Sequence, residues 1–353
     1  MKKNFELLGL ILIVGILLIS CNQNNETKLN SQTNFESKFT ELTGPYLRQK
    51  PPGMKAELFA PDLFSTEGDH GGITFSADGM EFSFTISTLI GQSLVEPTGA
   101  FEKLFMMYSH VENGHWTEPE EFSFTPARRS HYYLFFSPDG KKIYFNSFRY
   151  KTDPPDKSSS FIWYAERQTG DNWQWSEPKQ IDFGKDYYNE YGLGGIYPSV
   201  ASNGNLYFCH ATNRPPSLFM SRYENGNYSL PEELDGALNE IDGAHPYIAP
   251  DESYIIFDNE DLFISFRDKN GLWMKPQNLG KSVNTVYDER RPFVSFDGKY
   301  LFFASNRINP ELPNEPITLK KLQQLINLPT NGFRHLYWVD AKIIDEFRPD
   351  NFK

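Results

Sequence analysis

Five stretches of this chain repeat one alternation. An apolar run leads to a polar turn carrying Asp or Asn, and a second run follows in which aromatic and β-branched residues alternate with small or polar ones. The stretches are ITFSADGMEFSFT (73–85), LFFSPDGKKIYFNS (134–147), PSVASNGNLYFCHA (198–211), PYIAPDESYIIFDN (246–259) and PFVSFDGKYLFFAS (292–305). Period-two alternation on both sides of a short turn predicts two antiparallel strands. The pivots are Asp78, Asp139, Asn203, Asp251 and Asp297, followed by Gly in four repeats and by Glu252 in the fourth. Asp-Gly and Asn-Gly supply the positive φ that a tight turn needs, so the fourth turn is expected to differ. Successive pivots lie 46 to 64 residues apart. That variation suits loop insertions on a propeller better than a strictly periodic solenoid.

A second pattern runs in step with the first. Each hairpin is followed by a third apolar run, such as LFMMYSHV, FIWYAER, LFMSRY or LFISFR, and then by an aromatic-x-x-Pro-x-x-apolar unit. The units are Trp116/Pro119/Phe122, Trp175/Pro178/Ile181, Tyr228/Pro231/Leu234 and Trp273/Pro276/Leu279. Proline is tolerated on an edge strand, so each unit is expected to form the outermost strand of a blade. The fifth repeat ends with a third strand, RHLYWVDAKIIDEF, and has no such unit after it. A matching unit, Leu58/Pro61/Phe64, precedes the first repeat. The two ends of the domain are therefore expected to share one blade, which closes a ring and removes two exposed edges. The expected fold is all-β, a β-propeller of five four-stranded blades whose last blade is closed by the N-terminal strand. A sixth, degenerate blade is the alternative. Residues 308–333 insert into the fifth repeat, and Leu319, Leu322, Leu325 and Ile326 fall at helical spacing, which predicts a short helix on the blade edge.

These repeats resemble the TolB-type, WD40-like propeller repeat, closest at Phe136-Ser137-Pro138-Asp139-Gly140-Lys141 and Ser305-Asn306-Arg307. The resemblance covers nearly all of residues 55–353. It implies fold much more than function, since such repeats serve envelope proteins, peptidase gating domains and lyases alike.

The remaining sequence speaks to compartment. Lys2 and Lys3 precede an apolar run from Leu7 to Ser20 that ends at Cys21. Residues 1–20 read as a signal peptide, and Leu18-Ile19-Ser20-Cys21 resembles a bacterial lipobox, which implies a lipidated Cys21. Residues 21–43 are polar and read as a flexible tether, leaving 44–353 for the propeller. By resemblance to sorting rules, Asn22 and Gln23 point to the outer membrane of the cell envelope. With Cys21 acylated, Cys209 has no disulfide partner and reads as a buried thiol. The formal charge of −12, with no basic tract, excludes nucleic acid and leaves an envelope protein or glycan as the expected partner.

Candidate chemistry lies in the loops that lead into each innermost strand, because equivalent positions of a ring converge on its axis. Nine residues before the pivots stand Asp69, Asp242 and Asp288; eight before stand His70, His131 and Glu289; six before stand Gly72, Tyr133, Tyr197, His245 and Arg291, with Arg290 adjacent. Of these, Asp69, Asp242, Asp288, His70, His131, His245, Glu289, Arg290, Arg291 and Tyr197 are expected to bind a ligand at a common channel mouth. No catalytic residue or cofactor is assigned, although three His among carboxylates are able to bind a divalent metal. The alternative is a carbohydrate-active lyase or hydrolase using these groups as acid and base. A purely structural envelope lipoprotein fits the same residues. No G-x-S-x-G elbow, phosphate loop or H-E-x-x-H helix is present.

Overall fold

The computed structural model describes residues 38–64, 68–88, 103–124, 131–147, 161–170, 173–185, 187, 195–210, 215–234, 236–308, 316–326 and 328–349. The expected signal segment, Cys21 and most of the expected tether lie outside them. Residues 39–353 form one compact unit. Among the described residues no helix is long and apolar enough to cross a membrane.

Five four-stranded antiparallel sheets follow one another in sequence. From innermost to outermost strand, blade 1 is Asp69–Phe75, Glu81–Thr88, Lys103–Glu112 and Glu120–Glu121. Blade 2 is His131–Phe136, Lys142–Ser147, Phe161–Glu166 and Lys179–Gln180. Blade 3 is Ile196–Val200, Leu206–His210, Ser217–Ser221 and Glu232–Glu233. Blade 4 is Ala244–Ile248, Tyr254–Asn259, Asp261–Phe266 and Gln277–Asn278, and blade 5 is Glu289–Val294, Tyr300–Ser305, His335–Asp340 and Glu57–Leu58. Each innermost strand packs against those of the two neighbouring blades, blade 5 against blade 1 included, so the ring is closed. The architecture is the expected five-bladed propeller.

The turns show why the repeat has its composition. In blade 2 the Ser137 hydroxyl donates to Asp139 Oδ1 (2.6 Å), which also accepts from the backbone of Lys141 (3.0 Å), while Ser137 Oγ accepts from Lys142 N–H (2.9 Å). Ser76/Asp78 and Ser295/Asp297 repeat the arrangement. The following glycine takes positive φ, 69° at Gly140. Glu252 adopts the same left-handed conformation (φ 59°) without being glycine. Its carboxylate accepts from Asn203 Nδ2 (2.9 Å), Asn205 Nδ2 (3.0 Å) and the Tyr207 hydroxyl (2.7 Å) of blade 3. Those bonds offset a strain of about 1–2 kcal/mol and tie two blades together.

The N-terminal strand closes blade 5 as expected, Glu57 opposite Trp338 and Leu58 opposite Tyr337. The register within the motif is corrected. In blades 1 to 4 the outer strand is the pair of residues just after the proline, and the next residue is buried: Phe122, Ile181, Leu234, Leu279. In blade 5 that residue is Phe59, whose N–H donates to Leu336 O (2.8 Å), as Ile181, Leu234 and Leu279 donate to their third strands. Phe64, five residues later, is core but lies outside the strand, and Pro61 sits in the turn beyond it. The aromatic of each unit lies before the outer strand, in the hairpin that leaves the third strand: Trp116 faces Val111, and Trp175 and Trp273 bridge Arg167 and Arg267.

Phe39, inside the expected tether, is buried against Phe64 and Phe82. Tyr46, Leu47 and Arg48 then run in consecutive left-handed conformations (φ 52°, 56°, 48°), and Tyr46 and Leu47 are buried. Within the insertion, the helix Leu319–Ile326 forms, but Leu319 and Leu322 are exposed, so its face is not packed on the blade edge as expected.

Candidate functional site

The axis is built by one backbone device used five times. Each innermost strand carries a β-bulge at its second to fourth residue. The bulged residue is left-handed in every blade: Gly72 (98°), Tyr133 (55°), Tyr197 (62°), His245 (47°) and Arg291 (61°). A bulge re-aims the residue that follows it, and these five meet around the axis. Tyr133 and Tyr197 pack edge to face (4.4 Å), Tyr197 lies on His245 (3.9 Å), and the Arg291 guanidinium covers Tyr133 (4.8 Å). They leave a cavity of about 50 Å³, lined also by Thr85 and by Pro198, Pro246 and Pro292. Gly72 contributes no side chain, and a Cβ there would lie 3.0 Å from Arg291 Cβ.

Three of the five bulges are gripped by a side chain of the preceding blade. Thr85 Oγ1 accepts from Tyr133 N–H (3.1 Å), Asn146 Oδ1 from Tyr197 N–H (2.7 Å), and Asp258 Oδ2 from Arg291 N–H (2.8 Å). Asn146 also donates to Gly195 O (3.2 Å). In blade 3 the equivalent position is Cys209, fully buried, whose thiol donates to Gly243 O (3.8 Å) and is pushed to higher pKa by burial. In blade 5 it is Ala304, opposite Arg290.

His245 is the most elaborated of the five. Its Nδ1 meets Asp258 at 2.9–3.0 Å, and its Nε2 lies 3.4 Å from Arg291 Nε. A guanidinium only donates, so Nε2 accepts and Nδ1 bears the proton given to Asp258. Burial lowers the pKa of this imidazole, against the opposite pull of Asp258.

The remaining sequence candidates are placed differently. His70 is buried between Phe64, Phe84 and His335, with Nδ1 donating to Arg334 O (3.2 Å); burial first, and then His335, lower its pKa to about 4. His131 is fully buried against Phe145. Glu289 is fully buried and accepts from Thr285, Ser305 and Arg307. None of the three lines the axial cavity. Convergence of His70, His131 and His245 is therefore corrected: the bulge turns the residue six before the pivot toward the axis and leaves the one eight before it in the packing between strands. Asp69 and Asp288 flank Arg334, which bonds both (2.9 and 2.7 Å), and Arg290 Nε adds a bond to Asp288 (2.6 Å). Burial works against the charge of Asp288, yet the bonds from Arg334 and Arg290 hold its carboxyl below the usual carboxylate range. Asp242 is exposed in the loop before Ala244–Ile248. Arg307 pairs with Glu289 of its own blade and stacks on Tyr337 (4.6 Å). Among the described residues no group of three or more His, Cys, Asp or Glu is disposed to hold a metal ion.

Sequence reasoning did not select Thr85, Asn146, Asp258 or Tyr133. A usable signal existed for the ring, since proline follows the bulged residue in three blades as Tyr197-Pro198, His245-Pro246 and Arg291-Pro292. A strand edge facing the axis loses no ladder partner by lacking an N–H.

Fold and axis together define a five-bladed β-propeller with Asp- or Asn-centred pivot turns and a side-chain-filled centre. The sequence matches no protein-family model and no curated protein. Among solved structures it is similar to a protein of Agrobacterium tumefaciens assigned as TolB (14% identity, 70% of this chain and 73% of that one, TM-score 0.42). It is also similar to TolB from Acinetobacter baumannii (13%, 77% of this chain and 54% of that one, TM-score 0.39), about half of whose length it spans. A family 117 glycoside hydrolase produced by Zobellia galactanivorans gives 13% identity over 82% and 88% of the two chains, with a TM-score of 0.45.

Proposed function

We propose that this chain is a lipid-anchored propeller of the bacterial cell envelope that binds a protein or glycan at its channel-mouth face and catalyses nothing itself. The observation that carries this reading is the commitment of the charged groups near the axis to one another. Asp69 and Asp288 are spent on Arg334, Glu289 on Arg307, and Asp258 on His245 and the Arg291 backbone. Glycoside chemistry needs two carboxyl groups facing one substrate-sized space, whereas the axial cavity of about 50 Å³ holds little more than water. The apolar run Leu7–Ser20 before Cys21 supports the anchor, and the acidic balance supports a partner other than nucleic acid.

The test uses the full chain expressed in a Gram-negative host. Mass spectrometry of the mature N-terminus is expected to find a diacylglyceryl group on Cys21, and Cys21→Ser is expected to release the protein from membranes. Wild type immobilised over envelope extract, and displayed on a glycan array, is expected to retain a partner that Arg291→Ala retains at least about tenfold less. Retention of nothing in either format, or equal retention by the variant, sinks the binding reading. A second reading, a carbohydrate-active enzyme, is favoured only by His245, which lines the cavity with its Nδ1 bound to Asp258 as a general base would be oriented, its Nε2 needing first to give up the bond from Arg291. Turnover of a uronate polysaccharide that His245→Ala abolishes would establish it in place of the first.

A further inference from the structure

The face of the ring formed by the five pivot turns, opposite the channel mouth, has an equivalent niche at each junction between blades. The position that decides whether the niche is filled is the residue at the end of the third strand or just past it, whose N–H donates to the carbonyl two residues after the preceding pivot of its blade. That residue is Val111, Arg167, Arg267 or Ala341 in blades 1, 2, 4 and 5. Between blades 1 and 2 it is an arginine plug. Arg167 stacks on Trp175 (4.2 Å), binds Glu81 (2.7 Å) and donates to Gly140 O (2.8 Å). Between blades 3 and 4, Arg267 stacks on Trp273 (4.4 Å) and reaches the Tyr207 hydroxyl (2.8 Å), beside Glu252.

Between blades 5 and 1 there is no arginine to serve, and the chain inserts Tyr46 instead. Its ring packs on Phe75 (5.0 Å), Tyr300 (5.2 Å) and Phe302 (6.2 Å), and it covers Gly79, where a Cβ would lie 3.0 Å from Tyr46 Cζ. Its hydroxyl lies beside Asp297, whose charge adds to burial in raising the pKa of the phenol. Between blades 4 and 5 no described residue fills the space: Ala341 stands where the arginine would be, and a cavity of about 440 Å³ remains among the described residues. Its walls repeat those around Tyr46 one blade along. Asp251 replaces Asp297, Tyr254 replaces Tyr300, and Gly298 replaces Gly79. Ile344 and Arg348 from the last turn of the chain complete it.

We infer that the niche between blades 4 and 5 is a docking site for a tyrosine of a partner protein, presented on a tight Pro-Tyr turn. The chain's own Pro45-Tyr46 shows what such a niche accepts: an aromatic ring set edge to face on a second-strand tyrosine, with its hydroxyl beside the pivot carboxylate, the acceptor that a docked phenol would bond. Asp251 is exposed and retains an oxygen for that bond, since its turn donors, Ser253 N–H and Oγ, both use Oδ1. This surface is separate from the axial cavity, so the proposal stands or falls apart from the reading above.

The experiment titrates the full chain with acetyl-Gly-Pro-Tyr-Leu-Arg-amide, the sequence of residues 44–48, by fluorescence anisotropy. Saturable binding at one site is expected, weakened at least about tenfold when the peptide tyrosine becomes alanine. The same weakening is expected in Ala341→Arg, which supplies the missing plug. Asp345→Trp, at the exposed rim of the cavity, is the second filling variant should Ala341→Arg fail to fold by circular dichroism. Both variants are expected to keep whatever capture the channel mouth provides. No binding at millimolar peptide, or binding that neither filling variant weakens, overturns the assignment. A wild-type dimer in sedimentation that the filling variants convert to monomer also overturns it, making a second copy of this chain the occupant.

Discussion

At the scale of single residues, the junctions between blades depend on a few buried polar side chains. Asn146 is fully buried and both accepts from Tyr197 N–H and donates to Gly195 O. Asn146→Ala strands both groups, and an unsatisfied buried donor or acceptor costs about 1–3 kcal/mol, so the urea midpoint is expected to fall by about 2–3 kcal/mol equivalent. Cys209→Ala at the matching position loses only a weak thiol bond and a little volume, so it is expected to cost about 1 kcal/mol in the same measurement. His70 gives the fold a pH dependence. Its folded pKa of about 4 lies below the ordinary 6.5, so the unfolded chain binds the extra proton. The stability linked to His70 is complete above about pH 6.5 and is lost as pH falls through 4, roughly 3 kcal/mol in all. In His70→Phe, which keeps an aromatic ring among Phe64 and Phe84, the slope of stability between pH 6.5 and 4 is expected to flatten when urea melts are compared. An unchanged slope would assign the dependence to other groups such as His245. None of these roles was legible beforehand, because which face a strand residue shows depends on a bulge that leaves no composition signature except the trailing prolines.

At the scale of elements, the turns and third strands were plain in the sequence because their chemistry is local. Ser-x-Asp-Gly closes its own hydrogen bonds whatever surrounds it. Glu252 is the exception that needs tertiary context. Replacing it with glycine relieves left-handed strain of about 1–2 kcal/mol but deletes three hydrogen bonds to blade 3, each worth about 1 kcal/mol for a half-exposed group. Glu252→Gly is therefore expected to lower stability by about 1–2 kcal/mol in thermal melts, where turn propensity alone expects a gain. The outer strands mark the limit of pattern reading. Each contributes two residues to its sheet, too few to set a register from alternation. The Leu58/Pro61/Phe64 unit thus identified the right segment five residues out of phase, since Phe59 holds the place of Phe122.

At the scale of the whole molecule, closure rests on pieces far apart in the chain. Glu57 and Leu58 pair with Tyr337 and Trp338, and Phe59 packs on Phe75, Phe302 and Trp338. A chain beginning at residue 61 removes this strand together with Phe39, Tyr46 and Leu47, all buried. Each buried side chain of this size contributes about 1.5–3 kcal/mol, which together rivals the stability of a typical domain. That truncation is expected to bind hydrophobic dye and to lose the cooperative transition seen for the full chain by circular dichroism. The ring itself could be read from the count of hairpins and outer strands. The occupancy of its centre could not, because the four inward side chains come from four repeats and meet only after closure.

Those five positions behave as sockets more than as fixed parts. Thr85, Asn146 and Asp258 hold the backbone of the residue across the junction, not its side chain. Whatever amino acid tolerates the left-handed twist can therefore be fitted there without refolding the toroid. One socket, at Gly72, carries no tool at all. A lineage that keeps the clamps and exchanges only these fittings can retool the hub of the wheel one substitution at a time.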